Sequence, residues 1–152
     1  MATNVLQSTY SRYMPVGAAG AWATMTGWDA DTYQAEGTIP IGYAVSKGAG
    51  VRGCVKGGTL FIGVAIRDIT LVHTTPDQYE VSDNVGVGIR GDIWVRVEAA
   101  VVARTAAKYN TTTGQLGASG GTTIVGGVWM TSASAAGLAV LRLEGPEGDL
   151  TT

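Results

Sequence analysis

An all-β fold, a small β-barrel or a jelly-roll sandwich preceded by an extended N-terminal arm, is what the sequence predicts. Three observations carry this. Ile93, Val95, Val97, Ala99 and Val101 place apolar side chains on one face, while Trp94, Arg96, Glu98 and Ala100 occupy the other. Alternation with a period of two marks a half-buried strand, because successive side chains leave opposite faces. Turn-forming residues recur along the chain at about the 8–12-residue spacing expected of short strands in a sandwich or barrel. No stretch carries the helical period, and the one candidate for a helical turn, Ala103–Ala107, is too short to form a helix.

Composition bounds the architecture and excludes several function classes. A chain of 152 residues is expected to form one domain with tails or a small inserted subregion. A domain of this size buries roughly 68–70% of its unfolded surface and requires no disulfide or metal staple. Glycine contributes 23 residues, suiting strands joined by tight turns, and charged residues are only 14%. That low charge points to a surface partly covered by other protein. The net charge of −2 and the absence of a basic run argue against a nucleic-acid partner. A single cysteine, Cys54, cannot form an internal disulfide, which fits assembly in a reducing cytosol. No segment has the length of apolar residues that a membrane-spanning helix needs, so no membrane partner is expected. Ala21-Trp22-Ala23 mimics a signal cleavage site, but the preceding apolar run is too short and weak, so export by that route is not expected.

Taken in order, the chain divides into an N-terminal segment over residues 1–36, a β domain over 37–145 and a polar tail over 146–152. The first segment holds two of the four tryptophans and no clean periodicity. Val5, Leu6, Tyr10, Tyr13, Met14, Trp22 and Trp28 are its candidate partner-contact residues. They fit either a surface segment packed on its own domain or an arm docked on a neighbouring subunit, since aromatic and Met anchors are enriched at interface centres. Asp29-Ala30-Asp31 opens like a calcium loop, but the following residues lack the remaining ligands, and a turn is expected there.

Strands are expected at Thr38–Val45, with Pro40 confining it to an edge, and at Leu60–Asp68, with Ile69–Val72 as a continuation past a bend. Residues 46–58 read as a glycine-rich connector. Gln78–Val81 and Val85–Arg90 read as short strands, and Gly91-Asp92 as the turn of a tight hairpin leading into Ile93–Val102. Ala106–Tyr109, Thr122–Thr131 and Leu138–Leu143 complete the set, with Asn110–Gly114 as a hairpin tip and Gly126-Gly127 as a bulge.

Catalytic and cofactor signatures fail one by one. Gly48-Gly50-Gly53 and Gly86-Gly88-Gly91 match the dinucleotide spacing, yet each leads into a strand pattern rather than the helix whose N-terminus would hold a pyrophosphate. His73 is the only histidine, so a zinc site of the usual composition is not available and no nucleophile elbow accompanies a triad. Cys54 reads as a small apolar packing residue. The carboxylates Asp77, Glu80 and Asp83, and Glu144, Glu147 and Asp149, fall in turn-rich or terminal segments where solvation is the default. No enzyme activity, metal or cofactor is expected.

The central and C-terminal residues carry a resemblance. Gly63-Val64-Ala65 in one strand, Gly91-Asp92-Ile93-Trp94-Val95-Arg96-Val97 in another, and Lys108-Tyr109-Asn110 through Gly114 resemble the capsid decoration, or structural cement, proteins of tailed bacteriophages. The similar region spans roughly residues 38–145. The resemblance implies a virion structural protein on the outer surface of the head, made in the host bacterial cytoplasm. Its implied partners are the major capsid protein and further copies of itself, as a dimer or trimer at capsid symmetry positions. A carbohydrate-binding β-sandwich of a phage fibre or lectin type is the alternative, with Trp22, Trp28, Trp94 or Trp129 stacking on sugar rings.

Overall fold

The structure, a computed structural model, describes residues 17–25, 27–68 and 70–144. It is all-β, as the alternation predicts. The described residues form ten strands: β1 (Asp29–Ala35), β2 (Ile39–Pro40), β3 (Ala44–Lys47), β4 (Gly53–Lys56), β5 (Phe61–Ala65), β6 (Gln78–Tyr79), β7 (Asn84–Arg96), β8 (Ala106–Tyr109), β9 (Thr122–Trp129) and β10 (Leu138–Glu144).

Eight of these strands form one sheet in the order β1-β4-β3-β5-β7-β10-β9-β8, and an additional β1–β7 pairing closes five of them into a barrel. The closure uses the N-terminal half of β7, which pairs with β1 from Asn84 to Arg90 and with β5 at Val87 and Gly88. The C-terminal half of β7 leaves the barrel and pairs with β10 from Arg90 to Arg96. β9 and β8 continue outward from β10. Leu116 then bridges both Tyr109 of β8 and Val97, just beyond β7, so the outer strands curl back onto β7. A closed sheet has few exposed edges on which other chains could pair indiscriminately.

Two cores follow from this layout. Ile39, Val45, Cys54, Ala65, Tyr79, Val85 and Val87 fill the barrel. Ala44, Val64, Ile93, Val95, Val97, Tyr109, Leu116, Trp129 and Leu141 fill the space beneath the second sheet. Ala44 and Val45, like Val64 and Ala65, are adjacent in sequence and serve different cores, so β3 and β5 are buried on both faces. Tyr109 fastens the layers by donating from its hydroxyl to the Gly58 carbonyl at 2.9 Å.

The long strand β7 differs from the sequence expectation in an instructive way. No hairpin forms at Gly91-Asp92, because neighbouring strands pair straight through that point, with Arg90 opposite Glu144 and Gly91 opposite Leu143. The register against β1 slips instead: Asp29 faces Arg90 and Ala30 faces Gly88, leaving Ile89 as the extra residue of a bulge. Gly91 follows with φ of 118°, a conformation that side chains rarely adopt. A one-residue bulge inverts the alternation. Odd-numbered Val85 and Val87 therefore enter the barrel core, while odd-numbered Ile93, Val95 and Val97 enter the other core.

Other expectations are adjusted similarly. Residues 46–58, read as a connector, contain the end of β3 and all of β4, leaving only the loop between these strands and Gly57-Gly58 irregular. Thr38–Val45 is broken at Gly42, which has φ of 84°, so Pro40 lies in the small β2–β6 sheet and Ala44 starts a separate strand. Asp29-Ala30-Asp31 begins β1 rather than forming a turn, so residues 29–35 of the N-terminal segment belong to the sheet. Thr70–Val72 do not continue β5, and Ile69 lies outside the described residues. Around Gly126-Gly127 the β8–β9 register is irregular: Ala106 pairs with Val128 and Lys108 with Thr123, so β9 advances five residues while β8 advances two.

Candidate partner interface

The N-terminal segment enters the described structure as an added edge against β7. The Gly20 amide donates to the Trp94 carbonyl at 2.7 Å, the Trp94 amide to Ala21 at 2.8 Å and the Ala23 amide to Asp92 at 2.8 Å. Trp22 thereby bridges Ile93 in antiparallel sense. A turn at Ala18–Ala21, with Gly20 at φ of 80°, brings the Gly20 carbonyl to the Arg67 amide at 2.8 Å. Gly17 lies so close to the Trp94 indole that a Cβ there would sit 2.3 Å from the ring. Main-chain hydrogen bonds thus hold Gly20–Ala23 against β7, and Trp22 is the one large side chain among residues 17–23.

Aromatic residues cap this ladder. Trp22 and Trp28 stack with ring centroids 4.9 Å apart, and Gly91 lies beneath them. A Cβ on Gly91 would meet Trp28 Cβ at 2.8 Å and the Trp22 ring at 2.9 Å, so the missing side chain is what admits the pair. Trp22 packs partly onto the second core, while Trp28 keeps 49% of its surface exposed and Met25 keeps 94%. Met25 and Trp28 therefore leave large apolar surface open to solvent within a few residues of the segment fixed on β7.

Next to Gly91 in β7 lies a carboxylate that the sequence reading did not single out. Asp92 is buried, and Arg142 on β10 grips it with Nε donating to Oδ1 at 2.7 Å and Nη2 donating to Oδ2 at 2.9 Å. The Thr24 hydroxyl donates to Oδ2 at 3.2 Å. The Arg142 hydrogen bonds hold the Asp92 carboxyl below the usual carboxylate range against the opposing effect of burial. This ties β10, β7 and the N-terminal segment at one point. An Asp breaking an apolar strand was the available signal, but its partner, Arg142, is far along the chain.

Of the sequence-predicted contact residues, Trp22 and Trp28 are brought together, and Val5, Leu6, Tyr10, Tyr13 and Met14 lie outside the described residues. Trp129 is fully buried and cannot stack on a sugar. Gly48, Gly50 and Gly53 do surround an acidic group, but it is the chain's own: Glu36 accepts the Ala49 amide at 2.9 Å and the Gly50 amide at 2.6 Å. Cys54 is buried, and desolvation first, then the nearby Glu36 charge, push its thiol up to about 11. His73 lies edge-on to Tyr79 at 5.0 Å. Among the described residues no group of His, Cys, Asp or Glu is arranged to hold a metal.

A second surface feature lies between the two layers. An uncharged groove of about 330 Å³ runs between the start of β5 and the start of β9, lined by Leu60, Phe61, Ile62, Ile124, Val125 and Leu143 among others. Leu60 and Val125 on its rim are 67% and 61% exposed.

A closed five-strand barrel with appended strands and an edge-docked N-terminal segment defines an all-β barrel protein. The particular family is shown by the sequence: residues 6–144 match the family model described as structural cement protein (E217 gp24/Pam3 gp6), and the chain belongs to that family. It is therefore a structural protein of the bacteriophage virion that associates with capsid proteins, and its role is not enzymatic. Among solved structures, the fold is similar to a chain from the capsid of Myoviridae phage XM1, with a TM-score of 0.67, 16% identity, and coverage of 91% of this chain and 97% of that one. The N base of the phage phi29 head fibre gp8.5 is more distant, with a TM-score of 0.45, 10% identity, and coverage of 78% and 95%. No curated protein matches the chain.

Proposed function

We propose that the protein decorates the outer surface of the assembled phage head and bridges adjacent major capsid protein subunits, stabilising the shell against internal pressure. The observation that carries this reading is the N-terminal segment rooted on β7, with Met25 and Trp28 exposed beside it. Such a root fixes where the residues before Gly17 join the domain and reduces the conformational entropy lost when the arm, residues 4–28, binds. Copies associate as a dimer or trimer at capsid symmetry positions, and many modest contacts add through avidity. Val5, Leu6, Tyr10, Tyr13 and Met14 are the contact residues beyond the root. Neither nucleic acid nor membrane is a partner, and synthesis takes place in the host bacterial cytoplasm.

The test is a deletion of residues 2–14, added to purified shells. The truncated protein is expected to keep its β-sheet circular dichroism while shell occupancy falls by at least about tenfold, the scale on which a second tethered contact contributes. Full occupancy by the truncated protein would rule out the N-terminal segment as the bridging element.

A further inference from the structure

We propose that residues 70–76 form a pH-sensitive flap on the barrel, held shut by neutral His73 and released when His73 takes a proton. None of these residues belongs to a strand. The flap is clamped at its base: Arg67 Nη1 donates to Asp77 Oδ1 at 2.6 Å, the Arg67 amide to the Gly20 carbonyl at 2.8 Å, and the Ile41 amide to the Asp77 carbonyl at 2.9 Å. Beyond the clamp, Leu71 packs against the barrel core, and His73 sets its ring edge-on to the fully buried Tyr79 at 5.0 Å. Val72 between them is 93% exposed. Leu71 and His73 thus fasten a segment that has no ladder of its own.

The fastening at His73 depends on its protonation state. Nδ1 and Nε2 are both buried, and neither has a hydrogen-bond partner. A neutral imidazole carries one donor and one acceptor, whereas the imidazolium carries two donors and a charge. A buried charge without hydrogen bonds is far more costly than a buried neutral group, and an open flap gives both nitrogens to water. Asp68 is the charge that acts on His73, but its Oδ1 accepts the Thr70 hydroxyl at 2.6 Å and the Thr70 amide at 2.8 Å and makes no hydrogen bond to the ring. Those two bonds, the hydroxyl first, hold the Asp68 carboxyl below its ordinary 3.8, so it stays ionised. Desolvation raises the Tyr79 phenol, which stays neutral and donates to the Ile66 carbonyl at 2.7 Å. Arg67 and Asp83 are further charges facing Tyr79, and Asp77 is paired with Arg67. An imidazole is the side chain whose charge changes between pH 8 and pH 5, and His73 is the only histidine. The shut flap binds one proton fewer than the open one, so it loses ground as pH falls.

The test uses the free full-length protein, so shell attachment does not enter it. The sole imidazole gives one carbon–proton NMR signal, followed from pH 8 to pH 5 beside the Leu71 methyl signals. Exposure of those methyls is read from their broadening by a soluble nitroxide. One proton per opening shifts the open-to-shut ratio by up to about tenfold per pH unit, so broadening at least about threefold stronger at pH 5 is expected. The Leu71 change should share its midpoint with the imidazole signal. His73→Phe keeps a ring edge against Tyr79 and takes no proton, so its Leu71 broadening should not vary with pH. Unchanged Leu71 broadening in the parent overturns the proposal. So does a midpoint that differs from the imidazole's, or an equal pH response in His73→Phe. Should His73→Phe fail to fold, the two midpoints in the parent protein decide by themselves.

Discussion

Arg142 grips Asp92 with both of its carboxylate oxygens engaged, at 2.7 and 2.9 Å, and the Thr24 hydroxyl completes the site from the N-terminal segment. The pair spans the β7–β10 ladder at the point where β7 leaves the barrel, so it fastens the two layers and the root of the arm together. Removing one partner leaves the other charge poorly solvated, which is more costly than losing an exposed ion pair.

Asp92→Asn is accordingly expected to destabilise the fold by about 1.5–3 kcal/mol, the range for a hydrogen bond to a charged group. The effect stays below that of a fully buried pair because the Arg142 side chain is 43% exposed. Urea unfolding would register it as a lower midpoint at unchanged slope.

The same site sets an acid limit. The folded-state Asp92 carboxyl titrates below its ordinary value of 3.8, so its contribution is fully present above that value and is lost as pH falls through the lower folded one. Unfolding midpoints measured from pH 6 down to pH 2 are expected to fall less steeply in Asp92→Asn than in the parent protein. Equal slopes would show that the pair does not govern acid stability.

Gly91→Ala tests the aromatic cap. The new Cβ would meet Trp22 and Trp28 within 3 Å on a backbone at φ of 118°, so both packing and backbone conformation oppose it. Strain of this kind costs about 1–3 kcal/mol. Because the clash falls on the two tryptophans, a shift in tryptophan fluorescence should accompany the lowered stability.

Cys54 should be unreactive in the folded protein. Its thiol is buried and pushed up to about 11, so almost no thiolate exists near neutral pH. Labelling with a maleimide at pH 7.5 is expected to wait for global unfolding and to become rapid in denaturant.

Glu36 holds the β3–β4 loop by accepting the Ala49 and Gly50 amides, which lower its carboxyl from the ordinary value. Glu36→Ala should speed hydrogen exchange at Ala49 and Gly50 while leaving the amides of β5 and β7 protected. Unchanged exchange at both loop amides would show that the loop holds itself.

The sequence by itself determined the class of fold, because alternation in Ile93–Val101 and recurrent turns point to strands rather than helices. It also determined that Cys54 packs rather than reacts, and it carried the family resemblance that the match over residues 6–144 establishes. What it left open was decided between distant residues. The Gly86-Gly88-Gly91 spacing has the same appearance in a hairpin, a nucleotide loop or a bulged strand; pairing with β1 on one half of β7 and β10 on the other made it the last. The partner of Asp92 depended on that register, which places Arg142 opposite it. The groove exists only because β5 and β9, far apart in the chain, come to face one another. Local pattern reports which way a side chain points; the identity of its neighbour depends on strand order, and strand order is a property of the whole chain.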